Sequence, residues 1–364
     1  MAQRVQSGHL LDSERLREFC SVPLQKVGMS PEDALIAAEV LVRTDLRGVH
    51  THGVRFLPNY IKRIQAGGIN SRAEFKVIHQ TASTALVDGN AGLGHVASYK
   101  AVQLGIEKAN HHDVAVVLVR NSNHFGAAGH YALMCAEAGF IGIVLTNTPR
   151  IMKVSGSKSR VLGNGPTAYG VPSRGAPIVF DVAMSVVAGS TILMAAERNE
   201  SIVEGWIVNS DGLPTTNPND MAAGGALVPI ADHKGYGLTL LGELLAGALS
   251  GAGMASGVGK TGPNGLTAPN VPWNVGHSFI VLKPNAFMSL DSFKARVSVL
   301  TTEIQSSPKA AGVNRIYVPG EIEAEKELAR IKDGIGFDDV TWNSLLLLAK
   351  EFGIVDMLEK TRRQ

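Results

Sequence analysis

Apolar residues recur at helical spacing through SPEDALIAAEVLVRTDL (30–46), where Ala34, Ala37, Val40 and Leu41 share a face. Ser30 as cap, Pro31 at the first helical position and two acids behind it mark the start. The pattern predicts a helix ending near Asp45, because Gly48 and the Thr/His-rich residues after it carry no helical period. A second helix is predicted in LPNYIKRIQAG (57–67). From about residue 74 short apolar runs alternate with helices: FKVIHQ, TALVDG, a helix over 94–110, VAVVLVR (114–120) and a helix near 127–138. IGIVLTN (141–147), PIVFDVA (177–183) and ALVPIAD (226–232) continue the series. Such runs read as strands buried on both faces of a sheet, so the predicted class is α/β. ADHKGYGLTLLGELLAGAL (231–249) reads as a helix with Leu238, Leu241, Leu245 and Leu249 as its apolar stripe. After Ser289 helices return, including 338–354, and they are expected to pack with the N-terminal helices. The expected division is 1–73 packed with 289–364, a small α/β region at 74–133, and a larger one at 134–288.

The 364 residues are 45% hydrophobic and 18% charged, the profile of an enzyme-sized globular chain. With 34 basic against 32 acidic residues and no Lys/Arg-rich run, nothing points to nucleic acid. Cys20 and Cys135 stand far apart in helical stretches and read as buried small hydrophobes. MAQRVQSGHLLDSERLREF lacks an apolar signal core, and no run of about 18 apolar residues occurs, so the expectation is a soluble, cytoplasmic protein with no membrane partner.

Two glycine-rich stretches imitate nucleotide loops. In GMASGVGKT (253–261) Val258 stands where a P-loop requires its second glycine, and a helix precedes it, so SGAGMASGVGKTGPNG (250–265) reads as a loop. DGNAGLGH (88–95) lies between a strand and a helix, but its glycines lack dinucleotide-loop spacing.

Two histidine-bearing segments carry the candidate chemistry. RNSNHFGAAGHYA (120–132) begins where a strand ends, which puts Asn123 and His124 in the crevice where open α/β sheets bind ligands. A titratable imidazole there suits acid–base chemistry near neutral pH, whereas His130 on the following helix reads as packing. RGVHTHGV (47–54) supports two readings. An extended His50-x-His52 pair would turn both rings to one side, as zinc hydrolases use, while the same residues in a loop suit proton transfer. His111 and His112 sit at a helix end, where the dipole favours them. Arg47 and Arg55 flank the loop, and a guanidinium is the natural partner of a substrate carboxylate. His233, Lys234 and Gly235 open a helix whose free N–H groups suit an anion such as a cofactor phosphate.

In this order, DLRGVHTHGV, VDGNAGLGH, RNSNHFGAAGHYA, LTNTP, VLGNGPTAYGVP, FDVAMS, DGLPTTNP, HKGYGLTLLGELLAG and VPGE resemble the malate/L-lactate dehydrogenase family across nearly the whole chain. That family also holds sulfolactate and ureidoglycolate dehydrogenases, diketogulonate reductase and cyclic-imine reductases. The resemblance implies homodimers with their own α/β sheet, unrelated to the doubly wound dinucleotide fold, and NAD or NADP as cofactor. It makes Thr51 and His52 the proton-transfer pair, His124 a second active-site histidine, and Asp181 a residue beside the cofactor. It implies cofactor contacts at Thr148, Asp181, Val182, Ala183, His233, Lys234, Gly320 and Glu321, within a cofactor region of 134–288 and the late VPGE. The chain departs from the family at Gly163-Asn164-Gly165-Pro166, where an Asn has moved by one place, and at Arg150, usually a small or apolar position.

The expected activity is therefore an NAD(P)-dependent interconversion of a small 2-hydroxy acid and its 2-oxo acid, without a metal. The substrate carboxylate would sit on Arg47, and a histidine would move the hydroxyl proton. The alternatives are reduction of a cyclic 2-imino acid, a zinc hydrolase built on His50 and His52, and a dehydrogenase fold retained only for binding.

Overall fold

The structure, a computed structural model, describes residues 8–259 and 268–363, so positions 260–265 of the glycine-rich stretch lie outside the described residues. After the short strand β1 (His9–Leu11), Asp12 caps α1 (Ser13–Lys26) by accepting the Glu14 and Arg15 N–H groups at 3.1 Å. Ser30 caps α2 (Pro31–Leu46) as its sequence predicts, accepting the Asp33 N–H at 3.1 Å. The helix closes through Gly48 (φ +86°), whose left-handed backbone lets the Val49 N–H reach the Thr44 carbonyl at 3.0 Å and aims the chain into RGVHTHGV. That loop leads into α3 (Leu57–Gln65).

The sheet strands are β2 (Lys76–Gln80), β3 (Thr84–Asp88), β4 (Val114–Ser122), β5 (Ile141–Thr146), β6 (Thr167–Val171) and β7 (Ile178–Val182). Helices α4 (Gly94–His112) and α5 (Ala128–Glu137) join them. Beyond β7, α6 (Gly189–Glu197) and the short strands β8 (Ile207–Val208), β9 (Pro214–Thr215) and β10 (Ala226–Leu227) form a separate patch around Met152, Ile192, Ile207 and Leu227. After α7 (His233–Gly242), strand β11 (Val275–Leu282) enters the middle of the main sheet, giving the order β2-β3-β4-β11-β5-β6-β7. Only the β3–β4 pair runs parallel among the described strands of this mixed sheet.

The reading of strands buried on both faces holds at the centre and fails at the edges. In β4, Ala115, Val117 and Val119 are fully buried, whereas all five residues of β2 are exposed and β7 exposes Phe180 and Asp181. An edge strand has a neighbour on one side only and is covered less. ALVPIAD (226–232) also departs from the prediction: Ala226–Leu227 is its strand, in the small patch and not in the main sheet, and Pro229 adds an isolated bridge to Ser185. Pro229 has no N–H to pair, and Ala231 (φ 46°) and Asp232 (φ 51°) turn the chain left-handed into α7.

The leucine stripe of the α7 segment faces outward, not into the core. Leu238, Leu241 and Leu249 are 50%, 47% and 62% exposed, while Gly235, Thr239, Gly242 and Ala246 face inward. Small residues win this face because the segment lies almost on the sheet: a Cβ on Gly276 of β11 would fall 1.6 Å from the Ala246 carbonyl oxygen. The helix widens to a π turn at Glu243–Ala248.

The chain ends in α8 (Leu290–Ser306), α9 (Glu321–Asp333), β12 (Ile335–Phe337), α10 (Asp339–Phe352) and α11 (Val355–Thr361). β12 pairs with β1, and Phe337, Trp342, Leu345 and Leu358 share one core with Leu16, Phe19, Leu41 and Leu57. Cys20 and Cys135 are buried free thiols, and no described helix is long and apolar enough to cross a membrane.

Candidate active site

Three segments converge: the loop after α2, the buried face of α3, and the turn between β4 and α5. The His52 and His124 rings stack with centroids 5.5 Å apart and planes 19° from parallel. Phe56 lies against both, at 6.3 Å and 5.9 Å, and Trp273 meets His124 edge-on at 5.9 Å. From α3, the Tyr60 hydroxyl lies 2.6 Å from His124 Nδ1, and the Gly126 N–H points at the same atom at 3.4 Å. A nitrogen facing two donors is an acceptor, which assigns the His124 proton to Nε2. His52 Nδ1 is bonded to Thr51 Oγ1 at 2.9 Å. Among the described residues neither Nε2 has a protein hydrogen-bond partner, so both are open to a substrate.

Burial sets the protonation of this cluster. It pulls the His52 imidazole down to about 4. His124 lies well below the ordinary imidazole value, first through burial and then through the positive potential of His52, His95, His277 and Arg63. Burial also pushes the Tyr60 hydroxyl far upward, so it stays a donor at all working pH. The resting site therefore holds two neutral imidazoles side by side.

His50 does not join them. It lies in a 3-10 turn with His52, not an extended segment, so the two rings diverge. Its Nδ1 binds the buried Asp45 carboxylate at 2.7 Å and its ring packs on Phe337 at 5.7 Å. The geometric premise of the zinc reading, two rings on one side of an extended strand, is absent.

The arginines separate. Arg47 is 8% exposed and its Nη1 pairs with Glu327 of α9 at 2.7 Å, while Arg55 is half-buried with only a long contact to Met194 Sδ at 3.9 Å. Arg63, which the sequence reading passed over, is 4% exposed beside the histidines. It donates to the Val271 carbonyl at 2.9 Å and to Asn123 Oδ1 at 3.3 Å, and its guanidinium lies 4.9 Å from the Trp273 ring centre. Among the described residues it has no carboxylate partner, and burial draws it down to about 10. Tyr60, His95 and Trp273 were missed as well. The available signal was that Tyr60 and Arg63 stand three apart on the apolar face of α3 with Leu57, Ile61 and Ile64, an unusual place for a guanidinium. His130 is buried against Tyr131, as packing requires, and His111 and His112 end α4 on the surface.

The expected cofactor residues fall on β7 and on the segments that flank it. Thr148 Oγ1 donates to Asn164 Oδ1 at 3.0 Å and accepts the Asn164 N–H at 3.1 Å, so the displaced Asn is held against Thr148. The Asn164 carbonyl accepts the Met184 N–H at 2.7 Å, just past Val182 and Ala183, and the Met184 carbonyl accepts from Ile230 at 2.9 Å, just before α7. His233 and Lys234 are exposed in the first turn of α7, while Arg150 is half-buried. Gly320 lies against β7, where a Cβ would meet the Val179 nitrogen at 2.7 Å, and Glu321 follows at the start of α9. Asp181 Oδ2 accepts the Gly129 N–H at 2.7 Å, tying β7 to the helix after the His124 turn. Desolvation on that packed side lifts Asp181 to about 6 although the residue is exposed overall.

The mixed α/β sheet thus carries a neutral histidine pair at a strand end and a polar cradle beside it. The profile of the malate/L-lactate dehydrogenase family matches residues 11–346, and the chain belongs to that family. It is 38% identical over 348 residues to a malate dehydrogenase of Pyrococcus horikoshii, covering 94% of this chain and 95% of the relative. The sulfolactate dehydrogenase structure of Methanocaldococcus jannaschii superposes with a TM-score of 0.87 at 36% identity, over 97% of this chain and 99% of that one. A Δ1-piperideine-2-carboxylate reductase from Pseudomonas syringae gives 0.82 at 28% identity, over 93% and 99%. The family implies a nicotinamide cofactor.

Proposed function

We propose that the protein interconverts a small 2-hydroxy acid and its 2-oxo acid with NAD or NADP. The observation that carries this reading is the stacked His52–His124 pair with Tyr60 on His124 Nδ1. A bound nicotinamide would supply hydride exchange with the carbon that bears the hydroxyl. In oxidation, neutral His52 takes the hydroxyl proton on Nε2 while Thr51 holds Nδ1. His124 offers Nε2–H to the same oxygen and stabilises the charge that develops there. In reduction the proton returns from His52 to the oxygen. The substrate carboxylate is assigned to Arg47 and Arg55: Arg47 keeps part of its fork beyond the bond to Glu327, and Arg55 has no carboxylate bond among the described residues. Phe56 and Trp273 shed water from the reacting atoms.

The donor set fits the cofactor. Thr148, the Asp181–Ala183 segment, His233 and Lys234 and the Gly320–Glu321 turn would hold it, the last of these packed directly against β7 at Val179. Asp181 would face the cationic oxidised ring favourably. The outward Leu238, Leu241 and Leu249 are assigned to the partner of a homodimer, since an apolar face of this kind is normally covered. Two buried free thiols agree with a reducing, cytoplasmic setting.

The same neutral pair would serve a cyclic 2-imino acid, and the similarity to the piperideine-2-carboxylate reductase favours keeping this as the second reading. The test is loss of reduced-nicotinamide absorbance with NADH and NADPH separately, against 2-oxo acids and cyclic 2-imino acids. Turnover of the oxo acids alone supports the first reading, turnover of the imines alone supports the second, and turnover of neither overturns both.

A further inference from the structure

The residue that holds the proton-transfer loop in place lies outside it, on the last turn of α2. Asp45 is completely buried, and its two carboxylate oxygens have separate tasks. Oδ1 accepts His50 Nδ1–H at 2.7 Å, and Oδ2 accepts the Val54 N–H at 2.7 Å. Residues 50 and 54 bracket Thr51 and His52, so one carboxylate pins both ends of the turn that presents the proton-transfer pair. Its own backbone is held as well: Arg330 of α9 donates to the Asp45 carbonyl at 2.5 Å.

Two further features show that the loop is shaped around this carboxylate. A Cβ on Gly53 would fall 2.2 Å from Asp45 Cγ, Oδ1 and Oδ2, so the chain passes directly over the carboxylate and tolerates no side chain there. Among the described residues His50 Nε2 is buried without a hydrogen-bond partner, so the polar contact of the ring is its bond to Asp45 and its remaining contact is apolar, on Phe337. A carboxylate this deep is costly to bury and is retained where several donors converge on it.

We propose that Asp45 is a positioning residue for catalysis, acting through the loop to set His52 against His124. The proposal rests on the reading of His52 as a proton-transfer group. Asp45 touches neither substrate nor cofactor in this account, and His50 is its lever, not a second base. Catalytic groups tolerate little displacement: a misplacement of about 1 Å costs on the order of 10²-fold in rate.

The experiment is a double-mutant cycle on kcat, with cofactor affinity followed by the fluorescence of bound NADH or NADPH. Asp45→Asn keeps the volume but replaces one carboxylate oxygen with an NH2 donor, so that His50 Nδ1–H and the Val54 N–H no longer both find an acceptor. It is expected to lower kcat about 10²-fold with the cofactor Kd unchanged, and to lower it no further in a His52→Ala background. Gly53→Ala leaves the carboxylate intact and displaces it by contact, so it supplies the same cycle if Asp45→Asn fails to fold. His50→Asn, which retains a donor, is expected to restore part of what His50→Ala loses. Losses that add to that of His52→Ala, or wild-type kcat in both Asp45→Asn and Gly53→Ala, overturn the positioning role. Wild-type kcat in His52→Ala overturns the proton-transfer reading itself, and the positioning role with it.

Discussion

The Tyr60 hydroxyl donates to His124 Nδ1 across 2.6 Å, from a helix sixty-four residues earlier in the chain. Together with the longer Gly126 N–H contact to the same atom, that bond selects which nitrogen of His124 carries its proton and therefore which edge of the ring can meet a substrate. Replacing Tyr60 by Phe removes the donor and leaves the ring packing largely intact. We expect kcat to fall about tenfold, the scale of one hydrogen bond. Losing a bond to the neutral form also raises the His124 pKa, so its ring should titrate at higher pH in Tyr60→Phe than in the wild type when followed by NMR. An unchanged titration and an unchanged kcat would show that Tyr60 does not govern His124.

Asp181 gives a second pH signature. Lifted to about 6, it is a carboxylate at pH 7.5 and largely neutral at pH 5. Affinity for the oxidised, cationic cofactor should weaken as pH falls through 6, while affinity for the reduced cofactor stays nearly level. Asp181→Asn should show the weakened affinity at every pH. Titration calorimetry at pH 7.5 and 5 checks this, and equal pH dependence for both forms of cofactor would contradict it.

Stability should decline on acidification. His95, His130 and His277 are buried and held at about 3, against roughly 6.5 when unfolded. Between those values the unfolded chain binds more protons, so their contribution is complete above about pH 6.5 and is lost as pH falls toward 3. Asp45, Asp181 and Glu243, whose folded values are raised, work in the opposite direction, but His52 and His124 are lowered as well, so three carboxyl groups stand against five histidines. Urea midpoints at pH 7 and pH 5 should differ, with the lower value at pH 5, and equal midpoints would refute the reading.

Leu241→Glu places a charge on the exposed α7 face, where Leu241 is 47% exposed. In a monomer such a change is nearly neutral, whereas in a dimer sealed by this face it should shift the sedimentation coefficient to that of a monomer. A wild-type protein that already sediments as a monomer would contradict the assignment.

The parts of the molecule legible in the sequence were those where local signals and tertiary packing agree. Ser30 and Pro31 open a real helix, and the apolar run of Val114–Arg120 is a buried central strand. His52 and His124 were identified from loop position and resemblance, and the structure stacks their rings. Legibility failed where context decides. β11 joins the sheet out of sequence order, so nothing local reveals it as the partner of both β4 and β5. The leucines of α7 look like a core stripe because periodicity states that a face is apolar without stating what covers it. Asp45 reads as an ordinary helical acid, since its meaning lies in donors at residues 50 and 54 that fold back on it.

The most direct test is kcat for hydroxy-acid oxidation in His52→Ala and His124→Ala, with cofactor binding and thermal unfolding measured on the same preparations. The account predicts losses of roughly 10²–10⁴-fold in each variant with fold and cofactor affinity retained. Wild-type rates in both would contradict it, and the stacked pair would then be packing, not chemistry.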